Sequence, residues 1–193
     1  MYGGEDVSLL EKSILDAPIV KKNDYNYIVH PITDGIPYID PALLEEVTSK
    51  MAEYIPDEVE RIVTIEAMGI PLATAISLKL RKPFTIIRKR EYGLPGEISV
   101  EQVTGYSKSK LFINGLEKGD KIAIVDDVLS TGGTLRAVLK ALKEKEIDVR
   151  IVVIAIDKGT IAREIEKEFG VPVVSLASIE VRENETIIKS IKV

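Results

Sequence analysis

Cysteine and tryptophan are absent from this sequence of 193 residues, histidine occurs once, at His30, and aromatic residues make up only 5%. Without cysteine there are no disulfides, thiolate metal sites, iron–sulfur clusters or thiol nucleophiles. A single histidine removes every site that needs two imidazoles, HExxH zinc enzymes among them. No apolar run approaches the roughly 18 residues of a membrane span, and no basic-then-apolar leader opens the sequence. A cytoplasmic chain with no membrane partner is therefore expected. Positive charge is also in deficit. The 26 Lys and Arg against 31 Asp and Glu leave −5, which argues against a general nucleic-acid surface. An anionic ligand would have to be held by local features, against the overall charge.

What is present reads as an α/β protein of one domain, long enough to bury roughly 70% of its unfolded surface without a metal or disulfide. Short β-branched runs alternate with helical patterns, the mark of βαβ units and a parallel sheet. The runs 62–65, 84–87, 122–125, 151–156 and 171–176 are predicted strands, the last pushed towards a sheet edge by Pro172. Helices are predicted over 70–80, from about 133 to 145, and after Thr160 as far as Gly170. Another opens at Asp40-Pro41 and carries Leu44, Val47, Met51 and Tyr54 on one face. Residues 88–120, rich in Gly, Lys, Ser and Glu, break the rhythm. So long a stretch inside a small domain is expected to be a lid or binding loop, the plainer alternative being a surface hairpin ending at Asn114-Gly115.

The most informative segment is Ile122-Ala123-Ile124-Val125-Asp126-Asp127-Val128-Leu129-Ser130-Thr131-Gly132-Gly133-Thr134. An apolar strand ends in two acids, and a turn of small and hydroxylic residues leads into a helix. Ligands of open α/β sheets sit at the carboxyl ends of strands. Backbone N–H groups of Ser130 to Thr134, together with the helix N-terminus, make a phosphate cradle. Asp126 and Asp127 point to opposite faces and so serve different purposes. Carboxylates beside a phosphate cradle suit sugar hydroxyls or a cation. Neither GxxxxGK[ST] nor GxGxxG occurs, which disfavours P-loop NTPases and dinucleotide binding.

This segment resembles, at all thirteen positions, the 5-phosphoribosyl-1-diphosphate (PRPP) signature of the type I phosphoribosyltransferases. The resemblance implies a five-stranded parallel sheet flanked by helices, with a small hood built from the chain ends. The single domain, 1–193, would have a core over about 41–160 and a hood from about 1–40 and 161–193. It also implies that Asp126 and Asp127 meet the ribose hydroxyls and hold Mg²⁺, in contact or indirectly, while Ser130, Thr131, Gly132, Gly133 and Thr134 wrap the 5-phosphate. Glu66-Ala67-Met68-Gly69-Ile70-Pro71 is similar to the family's diphosphate loop, with amides around Ala67 to Gly69 facing the ligand. Arg88-Lys89-Arg90-Glu91 falls where the family keeps a basic pair near the diphosphate. Residues 97–113 take the place of its catalytic loop, with Tyr106, Ser107 and Lys108 near the tip and Lys108 or Lys110 reaching the diphosphate on closure.

His30-Pro31-Ile32-Thr33-Asp34-Gly35-Ile36-Pro37, residues 88–97 and Ile156-Asp157-Lys158-Gly159 together resemble the archaeal hypoxanthine/guanine branch, from about residue 11 to 190. That branch implies an enzyme of purine salvage, passing the phosphoribosyl group of PRPP to hypoxanthine and guanine. IMP or GMP and diphosphate would be the products, in a homodimer. Lys158 would then donate to a purine carbonyl, and the hood near His30 would close over the base. An ammonium suits the O6 acceptor of a 6-oxopurine and suits the 6-amino donor of adenine poorly. The alternatives are an adenine or xanthine phosphoribosyltransferase, or a non-catalytic PRPP-sensing regulator. The regulator is disfavoured because no helix-turn-helix pattern or basic excess accompanies the core.

Overall fold

In a computed structural model, the described residues are 7–22, 25–104, 107–159 and 161–193, with side chains described outside 102–104 and 107–109. The chain begins with α1 (Leu9–Asp16), β1 (Ile19–Lys22), β2 (Tyr25–Ile28) and a single helical turn, α2 (Pro31–Asp34). It continues through α3 (Pro41–Glu53), β3 (Arg61–Ile65), α4 (Gly69–Leu80) and β4 (Phe84–Ile87). Next come β5 (Ile98–Thr104), β6 (Ser107–Ile113), β7 (Lys121–Leu129), α5 (Gly133–Glu144) and β8 (Asp148–Asp157). The last elements are α6 (Ile161–Phe169), β9 (Val173–Val181) and β10 (Thr186–Ile191).

The central sheet runs β10-β9-β8-β7-β3-β4. Five of its strands are parallel, and β10 pairs with β9 antiparallel. The β-branched strands are almost wholly apolar in their middles because both faces are covered, the buried Thr64 of β3 being an exception. Across one face pack α1, α3 and α4, with Leu10, Val47, Met51, Leu72 and Ile76 against Ala123, Val125 and Val153. Across the other pack α5 and α6, with Val138, Leu142 and Ile165 against Ile122, Ile124, Val152 and Ile154. The Asp40 carboxylate caps α3, accepting from Ala42 N (2.8 Å) and Leu43 N (3.3 Å), and Pro41 takes the first helical position. The β1–β2 hairpin and α2 form a cap over the carboxyl end of the sheet. Residues 161–193 supply a helix and two strands laid on or within the main sheet. No helix among the described residues is long and apolar enough to cross a membrane.

One sequence expectation changes, and one alternative is realised. Pro172 does not put residues 171–176 at an edge. The strand starts one residue later at Val173, Pro172 contributes only its carbonyl, accepting from Val152 N (2.9 Å), and β10 covers the far side. The stretch 88–120 contains the hairpin, the plainer alternative: β5 and β6 pair antiparallel with Val103 opposite Lys108, and β6 ends at Ile113, just before Asn114-Gly115. Ile98, Val100, Leu111 and Ile113 alternate inward and bury the base of that hairpin in the α5 face of the core. A bridge between Arg88 and Phe112 joins it to the end of β4.

Candidate functional site

The acids of β7 stand where its hydrophobic run ends. Ile122 to Val125 are buried, and Asp126 and Asp127 follow at the carboxyl edge, with Asp127 only 7% exposed. Asp127 N donates to Asp126 Oδ1 (3.0 Å), which fixes the Asp126 carboxyl against the strand's own backbone. Burial raises Asp126 well above the usual carboxylate range, and the charge of Asp127 adds to it. Burial also pushes Asp127 up to about 6, the nearby Lys158 ammonium offsetting part of the rise. Two carboxyls so poor in water favour hydroxyl donors or a cation as neighbours.

The turn after β7 offers backbone donors. Gly132, at φ +76°, stands before the first residue of α5; Gly133 N makes a long bond to Thr131 Oγ1 (3.5 Å), and no N-cap side chain binds the other leading N–H groups. A Cβ on Gly132 would lie 2.7 Å from both Arg136 Nη1 and Ile161 Cγ2, so both the backbone conformation and the space demand glycine. Ser130 to Thr134, with Asp126, Leu129 and Ile154, line a cavity of about 220 Å³. Arg136 braces the turn from behind, donating to Thr131 O (3.1 Å) while paired with Glu164 and Glu168 of α6. The cradle is thus built of amides and hydroxyls, with its nearest arginine spent on structure.

A second loop leads from β3 to α4 through Glu66, Ala67 and Met68, with a cis peptide between Glu66 and Ala67. No side chain caps α4 either. A Cβ on Gly69 would stand 2.1 Å from Thr64 Oγ1 and 2.7 Å from Asp126 Oδ1. The missing side chain is what lets this loop lie against the acidic end of β7. The Glu66 carboxylate faces into the protein, accepting from Arg88 Nε (3.1 Å) and from the backbone N of Lys89. Glu66 therefore binds the basic pair to the loop.

The third wall is the hood. Lys158 N donates to Leu129 O (2.8 Å), and its ammonium lies 4.5 Å from the centre of the Tyr27 ring. The Tyr27 hydroxyl donates to the Asp34 carboxylate, which also accepts from His30 N (2.9 Å) and Thr33 Oγ1 (2.7 Å). Burial opposes the Asp34 charge. The bonds from His30, Tyr27 and Thr33 and the Lys158 ammonium outweigh it, so the carboxyl stays below its ordinary value. The hydrogen bond to Asp34, with burial second, pushes Tyr27 up to about 12. Burial lowers Lys158, and Asp34 and Asp127 resist the fall.

His30 is placed differently from the expectation that it faces a purine. The ring is fully buried and caps α2: Nδ1 accepts from Ile32 N (3.1 Å), and Nε2 meets Ser13 Oγ at 2.8 Å. Because Ser13 Oγ donates to Leu10 O (2.9 Å), the hydrogen is assigned to Nε2, and neither nitrogen is left for a ligand. Burial carries its pKa down to about 4. The neighbours sequence reading missed are Tyr27 and Asp34. Their signal was an aromatic in a short strand and an acid in a turn, neither of which means anything before the hood is folded over Lys158. Tyr106 and the side chain of Lys108 lie outside the described residues, and Lys110 is exposed on the hairpin opposite Glu101.

Comparison with known proteins agrees with this geometry. The family model for the phosphoribosyl transferase domain matches residues 38–187. The hypoxanthine/guanine phosphoribosyltransferase of Methanohalophilus mahii is 52% identical over 178 residues, 92% of this chain and 93% of that protein. Its counterpart from Methanothermobacter thermautotrophicus is 49% identical over 172 residues, 89% of each. Among solved structures, adenine phosphoribosyltransferase from Thermoanaerobacter pseudethanolicus shares the fold at a TM-score of 0.70 and 22% identity, over 88% of this chain and 99% of that one. The Trypanosoma brucei adenine enzyme does so at 0.72 and 19%, over 94% and 85%.

Proposed function

The chain belongs to the phosphoribosyl transferase domain family, and from that premise we infer that it carries the 5-phosphoribosyl group of PRPP to hypoxanthine and guanine, giving IMP or GMP and diphosphate. The observation that carries this reading is the convergence of three walls on the acidic end of β7. These are a phosphate cradle at α5, a second amide loop at α4 touching Asp126 through Gly69, and an ammonium, Lys158, under an aromatic hood.

A ring nitrogen of the base attacks C1 of the ribose as diphosphate departs, through a transition state in which the ribose is cationic. In this reading Asp126 and Asp127 accept hydrogen bonds from the ribose hydroxyls and place their charge beside that cation. Ser130 to Thr134 hold the 5-phosphate. The amides of Ala67 to Gly69, with Arg88 and Lys89, hold the diphosphate, and Glu66 keeps the basic pair in place. Lys108 comes from the hairpin to the same group. Lys158 donates to the purine O6. Among the described residues no cluster of three metal-ligating side chains occurs; Asp126 is the acid that lines the cradle, and Asp127 follows it in β7 as the second of the pair. Mg²⁺ fits such a pair, since it is commonly held by one or two carboxylates and by substrate phosphate oxygens. When bound, it neutralises charge on the diphosphate. Cytoplasmic, homodimeric protein is the state in which this reading places the chain.

Purified protein given PRPP and Mg²⁺ with each of hypoxanthine, guanine, xanthine and adenine in turn, with products separated by chromatography, tests it. IMP and GMP are expected. No nucleotide from any base would refute the reading, and XMP or AMP as the main product would reassign the substrate.

A further inference from the structure

Lys158 is the residue on which discrimination between purines turns in the reading above, yet a lysine on its own is a poor discriminator. Its ammonium rides on four rotatable bonds and can swing away from a mismatched base. In this chain it is held. The Tyr27 ring lies 4.5 Å below the ammonium, and that ring is fixed at its far end by the hydrogen bond from its hydroxyl to Asp34. Asp34 is itself fixed by two further donors from its own helical turn, His30 N and Thr33 Oγ1. A second ammonium, that of Lys22, lies 4.4 Å from the same ring centre.

We propose that Tyr27 and Asp34 are positioning residues for Lys158: the hood holds the ammonium in place by a cation–π contact with a ring that the Asp34 carboxylate anchors, so that it meets O6 of a 6-oxopurine and rejects the 6-amino group of adenine. The proposal rests on the transferase reading and deepens it. Neither residue needs to touch the base. The arrangement also couples recognition to hood closure, because β2 and α2 supply the support and the end of β8 supplies the lysine. The charged and titratable groups facing Lys158 are Lys22 on β1, Tyr27 on β2, Asp34 on α2 and Asp127 on β7. Of these, Asp34 and Asp127 stabilise the ammonium and Lys22 opposes it.

The test uses the full-length protein with Tyr27→Leu, Tyr27→Phe and Asp34→Asn, assayed with hypoxanthine and with adenine across pH. Tyr27→Leu removes the ring and is expected to raise KM for hypoxanthine roughly tenfold, the size of a partly desolvated cation–π contact. Its kcat and its KM for PRPP should change less than about twofold, since the loss falls on base binding, and its preference for hypoxanthine over adenine should narrow. Tyr27→Phe keeps the ring but loses its anchor on Asp34, so its preference should fall between those of wild type and Tyr27→Leu. Asp34→Asn should move the alkaline limb of kcat/KM for hypoxanthine to lower pH, because it withdraws a charge that keeps Lys158 protonated. Wild-type discrimination in Tyr27→Leu, or in both Tyr27→Phe and Asp34→Asn, would overturn the proposal while leaving the transferase reading intact. A wild-type protein that makes no IMP would overturn both.

Discussion

At the scale of single residues, Asp127 shows function opposing stability. Its carboxyl is almost closed to water, and burial pushes it up to about 6. Between the unfolded value of about 3.9 and this one, the native state keeps a proton that the unfolded chain releases. Stability therefore falls as pH rises through that window, and the full penalty is present above it. Asp127→Asn keeps the shape and removes the charge. The variant should be more stable than wild type at pH 7.5, by up to about 3 kcal/mol, and the gain should vanish below about pH 4. Nucleotide formation should drop by about 100-fold or more, the order seen when one electrostatic partner of a transition state is lost. Urea unfolding at pH 7.5 and 4 beside a turnover assay checks both halves. A destabilised Asp127→Asn at pH 7.5 would show that the charge is compensated inside the fold.

At the same scale, legibility depended on whether a residue's meaning was local. Asp126, Asp127 and Ser130 to Thr134 could be found in the sequence because strand, acids, turn and helix are contiguous there. Glu66 could be placed in its loop, but its inward pairing with Arg88 and Lys89 joins residues 22 and 23 positions apart. Tyr27 and Asp34 act on Lys158 from more than a hundred residues away, and nothing in their own neighbourhoods signals it. His30 misled because an imidazole in a turn reads as available chemistry, whereas the one-turn helix α2 needed a cap and took it.

Elements were read best where both faces are buried. The runs of β3, β4, β7 and β8 and the faces of α3, α4 and α5 carry enough apolar residues to declare their period. The hairpin β5–β6 was read only as an alternative and without its buried base, because polar residues on its open side dilute the alternation of Ile98 with Val100 and of Leu111 with Ile113. The strand β10 escaped because none of its six residues is buried, and it exists by pairing with β9 rather than by its own pattern. Contact between elements is most constrained where α4 starts. Gly69→Ala would place a methyl group 2.1 Å from Thr64 Oγ1 and 2.7 Å from Asp126 Oδ1, inside a strand-to-helix junction that has no room to spread. Destabilisation of about 1–3 kcal/mol is expected, as for other overpacked sites. KM for PRPP should rise as well, because the displaced loop carries Asp126 with it. A thermal melt and a PRPP titration read the two effects. A melt unchanged within error would mean that the loop yields freely.

At the scale of the whole molecule, the charge paradox of an acidic protein with an anionic substrate becomes one of acid stability. His30 has a folded pKa of about 4, well below its ordinary value of about 6.5. In the interval between, the unfolded chain binds a proton that the native state refuses, so stability rises with pH there and is lost as pH falls towards 4. The slope has the opposite sign to that of Asp127, and the two windows overlap between about 4 and 6. In wild type the two contributions largely cancel across the overlap. Asp126 and Asp157, both raised by burial, oppose the histidine in either protein, so the effect of Asp127→Asn is a difference: below pH 6 its unfolding free energy should fall more steeply than that of wild type, by up to about 1.4 kcal/mol for each pH unit. The structural consequence is specific: protonating Nδ1 breaks its bond from Ile32 N, uncaps α2 and loosens the turn that carries Asp34, so acid should disturb the hood before the sheet. The sequence makes this measurable, because a single histidine gives a single imidazole Hε1 resonance with nothing to confuse it. Its titration should show a midpoint near 4, followed by loss of native signals. A midpoint between 6 and 7 with the protein still folded would mean that His30 is open to solvent, and both its capping role and the hood packing described here would fall.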